Sequence, residues 1–150
     1  MHLLKMNNIS LIDLKPQIDT LPYPIPNILL SLETCPITLQ TYKDIIFDYK
    51  INSSSELLGI KLGKEFIGIV GLEVYHNTAI IKHFKILPQY QRQGIGTKII
   101  RTLPIKYSLT SLQVQAGNET VDFYSKLGFM VVEIKINPCP TYKYLCTLKV

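Results

Sequence analysis

The feature of this 150-residue chain that most constrains its fold is a run of three strand-like segments between residues 53 and 87. The run, SSSELLGIKLGKEFIGIVGLEVYHNTAIIKHFKIL, is rich in apolar and β-branched residues and is divided by two short polar turns. We predict strands over residues 55–62, 66–75 and 78–87, with turns at Gly63-Lys64-Glu65 and His76-Asn77. Strands joined by turns this short pair with each other, so the run predicts a three-stranded antiparallel meander.

The rest of the chain supplies strands and helices around this meander. We predict strands near residues 8–14, 111–116, 129–136 and 142–150, and helices over 27–33, 36–49, 95–103 and 118–128. Pro22, Pro24 and Pro26 predict an extended segment before the first helix, and Pro104 is expected to stop or bend the third. The order predicts an α/β (α+β) fold in one domain over residues 1–150. Its mixed, mostly antiparallel sheet would have about seven strands and helices on both faces.

The charge balance narrows the classes of partner. The net charge is +5 at pH 7 and the pI is near 9.1, which favours an anionic partner without naming one. The basic residues form no long run, so nucleic-acid binding is weakly supported. The start of the sequence, MHLLKMNNIS, has no apolar stretch long enough for a signal peptide, and no window reaches the length of a membrane span, so we expect a cytoplasmic protein. The cysteines lack metal-ligand spacing, so we expect free thiols and no metal.

Two glycines, Gly94 and Gly96, stand where the third predicted strand gives way to a helix in QYQRQGIGTKII. Backbone N–H groups at a helix start lack internal partners and, together with the helix dipole, favour an anion. Glycine leaves the approach of a phosphate unobstructed, and Arg92, Lys98 and Arg101 add positive charge nearby. The pair therefore predicts a diphosphate site, although a plain turn into a helix would use the same glycines.

Three phosphate-binding loops differ at defined positions. A dinucleotide loop requires a small residue where the chain has Ile99, and a P-loop requires Ser or Thr directly after Lys98. The segment QRQGIG, residues 91–96, fits a third pattern: Gln or Arg, two residues, Gly, one residue, then Gly or Ala. With FKILPQY before it and DFYSKLGF after it, this loop resembles that of the GNAT acetyltransferase superfamily, over roughly residues 55–136.

The resemblance implies that acetyl-CoA binds in a gap between the strands predicted at 78–87 and 111–116. Its pantetheine arm is expected along the edge of the first strand, and its pyrophosphate on the N–H groups that follow. The thioester carbonyl is expected against an N–H near Ile86, which would stabilise the developing oxyanion. The implied donor-binding residues are Phe84, Lys85, Ile86, Gln91, Arg92, Gln93, Gly94, Ile95, Gly96, Thr97, Asn118 and Tyr124.

The segment DFYSKLGF is similar to the family's second signature, and two residues in or near it have alternative interpretations. Tyr124 matches the tyrosine that protonates the departing sulfur in many family members, although its helical stripe also suits a core aromatic. Asn118 resembles an asparagine that contacts pantetheine, but it stands one residue off the commonest spacing. We therefore favour a role for Asn118 as the N-cap of its helix.

The general base is where the chain departs from the family pattern. Ile80 stands where many members carry a glutamate on this strand. Glu73 on the preceding strand and His83 on the same strand are candidates by location, and a water relay is equally open. His83 has the more suitable intrinsic pKa, near 6.5, but its position also suits a half-buried strand residue. Cys139 has no nearby histidine in the sequence and is expected to be passive.

The resemblance therefore implies an N-acetyltransferase that moves the acetyl group of acetyl-CoA to an amine by direct transfer in a ternary complex. The acceptor is open, and its site is expected from residues 15–35 and 137–141. The alternatives are a non-catalytic CoA-binding or regulatory protein, favoured by Ile80, and an acetyltransferase that acts on charged tRNA, favoured by the pI alone. We expect a monomer or a homodimer.

Overall fold

The structure, a computed structural model, describes residues 8–32, 39–134 and 144–150. Seven strands form one sheet in the order β1-β2-β3-β4-β5-β7-β6. Every neighbouring pair is antiparallel except β4 and β5, which are parallel. The strands are β1 (Ile9–Asp13), β2 (Ser55–Leu62), β3 (Glu65–Tyr75), β4 (Thr78–Ile86), β5 (Ser111–Ala116), β6 (Met130–Glu133) and β7 (Tyr144–Lys149). The predicted mixed, mostly antiparallel sheet is confirmed.

In the described parts of the chain, four α-helices and two short 3₁₀ turns connect the strands. The helices are α1 (Ile25–Leu32), α2 (Leu39–Ile51), α3 (Ile95–Tyr107) and α4 (Val121–Lys126), and the 3₁₀ turns are Lys15–Thr20 and Pro88–Tyr90. None of the helices within the described residues is long and apolar enough to cross a membrane.

The meander agrees with its prediction to within one residue at each end. β3 begins at Glu65 instead of residue 66, and β4 ends at Ile86 instead of residue 87. Gly63 takes a left-handed conformation, with φ of +61°, in the first turn. A glycine adopts this conformation at little cost, which is why the turn is short enough to set the register of β2 against β3.

Two apolar clusters lie on opposite faces of the sheet. On one face α3 and α4 cover the strands, and the buried residues include Ile95, Ile99, Ile100 and Leu103 of α3. On the other face the first 3₁₀ turn, α1 and α2 cover the strands. Their buried residues are Leu14, Ile18, Ile25, Ile28, Leu29 and Tyr49, which pack on Leu57 and Ile69 of the sheet. Helices on both faces are therefore confirmed.

Prolines interrupt the helices less than the sequence predicted. α1 begins at Ile25, and Pro26 lies in its first turn, where a missing N–H leaves no bond unmade. α3 continues past Pro104 to Tyr107 instead of stopping there. An interior proline lacks an N–H to donate, and its ring crowds the carbonyl four residues earlier. Pro104 is nevertheless buried within α3, and its carbonyl accepts N–H groups from Ser108 and Leu109. Of the two outcomes predicted for Pro104, a stop or a bend, the stop is wrong.

Helix α4, which carries part of the DFYSKLGF segment, is shorter than predicted, and its N-cap is not the predicted residue. α4 begins at Val121, and its N-cap is Thr120, so the prediction that Asn118 caps it is wrong. The N–H groups of Thr120 and Val121 instead donate to the carbonyl of Gly117, at 3.2 and 3.0 Å. Gly128, with φ of +96°, takes the left-handed position predicted after the helix. The start predicted for α2 at residue 36, like Cys139 and the predicted 137–141 loop, lies outside the described residues.

Candidate active site

The parallel strands β4 and β5 separate halfway along their length. They pair only from Thr78 with Ser111 to Ile81 with Val114, whereas β4 stays paired with β3 as far as Ile86. The N–H of Leu87 donates to the carbonyl of Ile67 in the β3 direction, at 2.8 Å. Because N–H groups alternate in direction along a strand, those of Phe84 and Ile86 point into the gap. The gap leaves an open strand edge at the residues predicted to hold pantetheine.

The loop after β4 leads into the start of α3, where several N–H groups have no partner within the helix. Arg92 and Gly94 both have positive φ, of 60° and 81°, and turns that contain such left-handed residues can bring N–H groups together into a concavity that attracts anions. The first helical bond of α3 runs from the N–H of Lys98 to the carbonyl of Gly94, at 3.1 Å. The N–H groups of residues 95–97 precede that bond and have no partner within the helix. The loop therefore fits a diphosphate.

The two glycines of the loop occupy their positions for different physical reasons. Gly94 is required by its positive φ. At Gly96, by contrast, an added Cβ would lie 3.3 Å from Cζ of Phe123 and 3.6 Å from Cδ1 of Ile86. A Cβ at Gly96 would thus point towards these two side chains, and the expectation that this glycine leaves room for a phosphate stays a prediction.

Phe123 is a residue of this site that sequence reasoning missed. It stands against Gly96 of α3, and its ring centroid lies 6.4 Å from that of Phe84 on β4. Phe123 therefore connects α4, α3 and the open strand. The phenylalanine directly before Tyr124 in DFYSKLGF was the available signal, but nothing in the sequence indicates what it packs against.

Three polar residues predicted to bind the donor either form hydrogen bonds within the protein or have a buried polar atom. Nε2 of Gln91 donates to the carbonyl of Ile86, at 2.7 Å, and so ties the loop to the end of β4. Oδ1 of Asn118 accepts a hydrogen bond from the hydroxyl of Tyr144, at 3.2 Å. Gln93 has a buried Oε1 without a hydrogen-bond partner in the described parts of the chain. The motif glutamine at 91 thus shapes the site through the backbone.

Tyr124 lies in the apolar core that α3 and α4 form with the sheet. Its side chain is 5 % exposed, and its ring makes edge contacts with Phe123 and Phe129 at centroid distances of 5.0 and 5.2 Å. Burial raises the pKa of its phenol well above the usual value near 10. The hydroxyl therefore keeps its proton at neutral pH, as a general acid must before it acts, but the packing is equally that of a core aromatic.

Both candidate bases line one cavity, on the face of the sheet opposite α3. The cavity has a volume of about 340 Å³. Its lining comes from α2, β2, β3 and β4, namely Thr41, Asp44, Ile45, Asp48, Tyr49, Ser55, Glu73, Lys82 and His83. Glu73 stands directly opposite Ile80 in the β3–β4 register. A carboxylate is therefore present across the strand from the position where many family members carry one.

Glu73 and His83 differ in their contacts. The carboxylate of Glu73 accepts hydrogen bonds from the Tyr75 hydroxyl at 2.5 Å and from Nδ2 of Asn52 at 3.4 Å, and it lies 3.7 Å from Nζ of Lys82. His83 is half-buried, and its Nδ1 lies 2.6 Å from the hydroxyl of Tyr49. Glu73 thus belongs to a polar cluster at the edge of the cavity, whereas His83 is held by a residue of α2.

The segment expected to form the acceptor site lines a different cavity. Tyr23, Asn27 and Ser31 border a cavity of about 680 Å³ beside Lys85 and Tyr90, at the far end of β4. The cavity that holds the candidate bases is instead lined by α2, which sequence reasoning did not assign to any site. Asp44 and Asp48 are four residues apart on that helix, so they share a face, and this spacing was the available signal.

A strand edge left open beside a loop that suits an anion is the arrangement expected of proteins that bind an elongated ligand with a diphosphate. The profile of the acetyltransferase (GNAT) domain matches residues 38–137 of the 150. The chain therefore belongs to the GNAT acetyltransferase family, as its motifs predicted. A search of curated protein sequences finds no match.

Solved structures agree with this assignment at the level of the fold. A GNAT acetyltransferase from Elizabethkingia anophelis with acetyl-CoA bound has a TM-score of 0.69 and 22 % identity, over 96 % of this chain and 99 % of that one. An acetyltransferase from Thermus thermophilus has a TM-score of 0.73 and 15 % identity, over 95 % and 97 %. The spermidine/spermine N-acetyltransferase SpeG from Vibrio cholerae has a TM-score of 0.63 and 16 % identity, over 95 % and 92 %.

Proposed function

We propose that the protein transfers the acetyl group of acetyl-CoA directly to a small cationic amine in a ternary complex. The observation that carries the proposal is the position of β4 between two sites. Its open edge faces the gap beside the anion-binding loop, and its His83 side chain lines the cavity on the α2 face. A donor and an acceptor can therefore meet across one strand without a covalent enzyme intermediate. One sheet carries both sites, which supports treating residues 1–150 as a single domain.

The donor half of the proposal rests on main-chain groups. The N–H groups of Phe84 and Ile86 face the gap and suit the amide and thioester carbonyls of an acyl-pantetheine. The N–H groups at the start of α3 suit a pyrophosphate, and Arg92 is exposed beside them. No metal is needed for this recognition, because the backbone and the basic side chains supply the positive charge.

The acceptor half rests on the charge of the cavity. Three carboxylates, those of Asp44, Asp48 and Glu73, line it together with the ammonium group of Lys82. This local excess of negative charge contrasts with the net charge of +5 of the whole chain. A protonated amine is therefore the acceptor that the lining favours. The fold neighbour SpeG is a spermidine/spermine N-acetyltransferase, so polyamines belong among the first acceptors to test.

The chemistry needs a base in the cavity and an acid in the gap. A base removes one proton from the ammonium group, the amine attacks the thioester carbonyl, and the new C–N bond replaces the C–S bond. The nitrogen loses its second proton as the amide forms. The departing sulfur takes a proton from Tyr124, and the nitrogen's second proton restores the Tyr124 hydroxyl. One proton is released in all. An N–H of β4 in the gap would stabilise the oxyanion during the attack.

The competing function is a CoA-binding protein without catalysis, favoured by Ile80 in place of the usual glutamate. An acceptor screen over polyamines, amino acids, aminoglycosides and peptides, read as release of free CoA, separates the two. Tight acetyl-CoA binding in calorimetry without release of CoA by any amine would favour the non-catalytic protein. Release of CoA by cationic amines, but not by neutral analogues of the same size, supports transfer.

A pair of matched variants tests whether the cavity holds the acceptor. The double variant Asp44→Asn/Asp48→Asn should raise the acceptor KM by about tenfold, because each carboxylate near a bound ammonium contributes about 0.5–1 kcal/mol. The KM for acetyl-CoA should not change. The control is Asp19→Asn, which removes a carboxylate paired with Lys50 on the surface, at 2.9 Å. Equal effects of the two changes on the acceptor KM would place the acceptor elsewhere.

A further inference from the structure

A contact between α2 and two strands of the sheet determines the position of His83. Gly71 of β3 stands directly opposite His83 of β4. A side chain at Gly71 would overlap the phenol of Tyr49, so the absence of a Cβ lets that ring lie close against the strand. The Tyr49 hydroxyl thereby reaches Nδ1 of His83, at 2.6 Å, with the ring centroids 5.6 Å apart. Tyr49 is 2 % exposed, so the surrounding core fixes its ring.

We propose that Tyr49 is a positioning residue that holds His83 as the general base for the acceptor amine. This inference rests on the proposed function, because a base is needed only if an amine is acetylated. Its geometric basis is the arrangement of Gly71, Tyr49 and His83 at the wall of the cavity. The role is distinct from that of the glutamate that many family members carry at the position of Ile80.

The hydrogen bond at Nδ1 decides which ring nitrogen does the chemistry. When Nδ1–H donates to the Tyr49 oxygen, Nε2 carries the lone pair and accepts a proton from the acceptor. The imidazolium that results keeps the same bond, because Nδ1 remains a donor after Nε2 is protonated. The lining groups Asp44, Asp48 and Glu73 favour that positive charge, and Lys82 opposes it.

Glu73 is less suited to this role because its carboxylate is already shared among three partners. Tyr75 and Asn52 donate hydrogen bonds to it, and Lys82 lies within ion-pair distance. Proton transfer to Glu73 would weaken all three contacts at once. We therefore assign to Glu73 the task of holding the polar edge of the cavity, and to His83 the proton transfer.

The kinetic test compares the same chemical change at two tyrosines of α2. Tyr49→Phe removes the hydroxyl on His83 and leaves the ring in place, and kcat should fall about tenfold with the KM for acetyl-CoA unchanged. Tyr42→Phe is the control, because Tyr42 packs in the same apolar cluster but does not line the cavity. It should leave kcat as it is.

A double variant distinguishes positioning from a general structural role. His83→Gln should lower kcat by about a hundredfold, in the range of a lost general base. If Tyr49 acts through His83, the double variant Tyr49→Phe/His83→Gln should be no slower than His83→Gln alone. Two losses that multiply would overturn the proposal, since they would show that Tyr49 acts independently of the histidine.

A spectroscopic test does not depend on finding the acceptor. Nitrogen NMR of the histidine rings, assigned by loss of a signal in His83→Gln, should show Nδ1 of neutral His83 protonated in the wild type. In Tyr49→Phe the ring should shift towards the Nε2–H form that is commoner in solution, and in Tyr42→Phe it should not. An Nε2–H wild-type ring would overturn the proposal even if acetyl transfer is confirmed. If no amine releases CoA, the proposed function fails, and the assignment of His83 as a base fails with it.

Discussion

Replacing Tyr124 with phenylalanine tests the assignment of the general acid most directly. The change removes one oxygen and keeps the ring, whose edge contacts with Phe123 and Phe129 at 5.0 and 5.2 Å do not involve the hydroxyl. Folding stability should therefore change by no more than about 1 kcal/mol, the usual value of a hydroxyl's hydrogen bonding. The affinity for acetyl-CoA should also be preserved, because the main-chain groups of the gap and the loop are untouched.

The rate should respond much more strongly than the stability. Burial raises the pKa of Tyr124, so the wild-type hydroxyl is protonated at every pH at which the enzyme would be assayed. Loss of a positioned proton donor lowers kcat by about a hundredfold, which corresponds to about 2.7 kcal/mol in the barrier. The measurement is steady-state release of free CoA with the best acceptor, next to calorimetric titration with acetyl-CoA.

A control variant and the turnover of Tyr124→Phe itself decide whether this prediction holds. Tyr107→Phe serves as the control, because Tyr107 is a half-buried tyrosine at the end of α3 whose pKa is also raised by burial. It should retain full turnover. If Tyr124→Phe also keeps most of its turnover while chemistry is rate-limiting, Tyr124 is a core aromatic and not the acid.

Two further predictions concern the donor loop and alkaline stability. Gly96→Val should weaken acetyl-CoA binding by at least about tenfold in calorimetry. The added side chain must displace Phe123 or Ile86, which would move the start of α3. Unchanged affinity in a folded variant would contradict this prediction. Burial raises the pKa of both Tyr107 and Tyr124 in the folded protein, so the folded chain keeps protons that the unfolded chain releases above about pH 10. The free energy of unfolding should thus be unaffected by these tyrosines below about pH 10 and fall above it. A melting temperature still constant at about pH 11 would show that neither phenol is buried as described.

The meander was predictable because its signals are local. The turn at Gly63 and the apolar segments on either side of it lie within a few residues of each other, and they fix the strand ends to within one residue. The loop at Gly94 was predictable for the same reason, since a positive φ before a helix is a local requirement. The gap between β4 and β5 followed only from the family resemblance, because strand alternation does not reveal where a parallel neighbour departs.

The parts that were missed depend on contacts between distant segments. Tyr49 and His83 are 34 residues apart in sequence, and no periodicity of α2 or β4 indicates that they meet. Gly71, in the middle of an apolar strand, was a signal for the close approach of another group, but it does not name that group. The packing of Phe123 on Gly96 was missed for the same reason, because a phosphate alone would account for a glycine at that position.

The gap beside β4 also ties the stability of the folded chain to the supply of its donor. The unpaired N–H and C=O groups on the open edge of β4 form hydrogen bonds with water when no ligand is bound. A ligand that binds only the folded protein stabilises the folded state relative to the unfolded state. At a donor concentration about 100 times its Kd the gain would be about 2.7 kcal/mol, a sizeable fraction of the stability of an ordinary domain. The melting temperature of the protein should therefore rise with the concentration of the donor, which makes thermal unfolding a measure of occupancy of the gap.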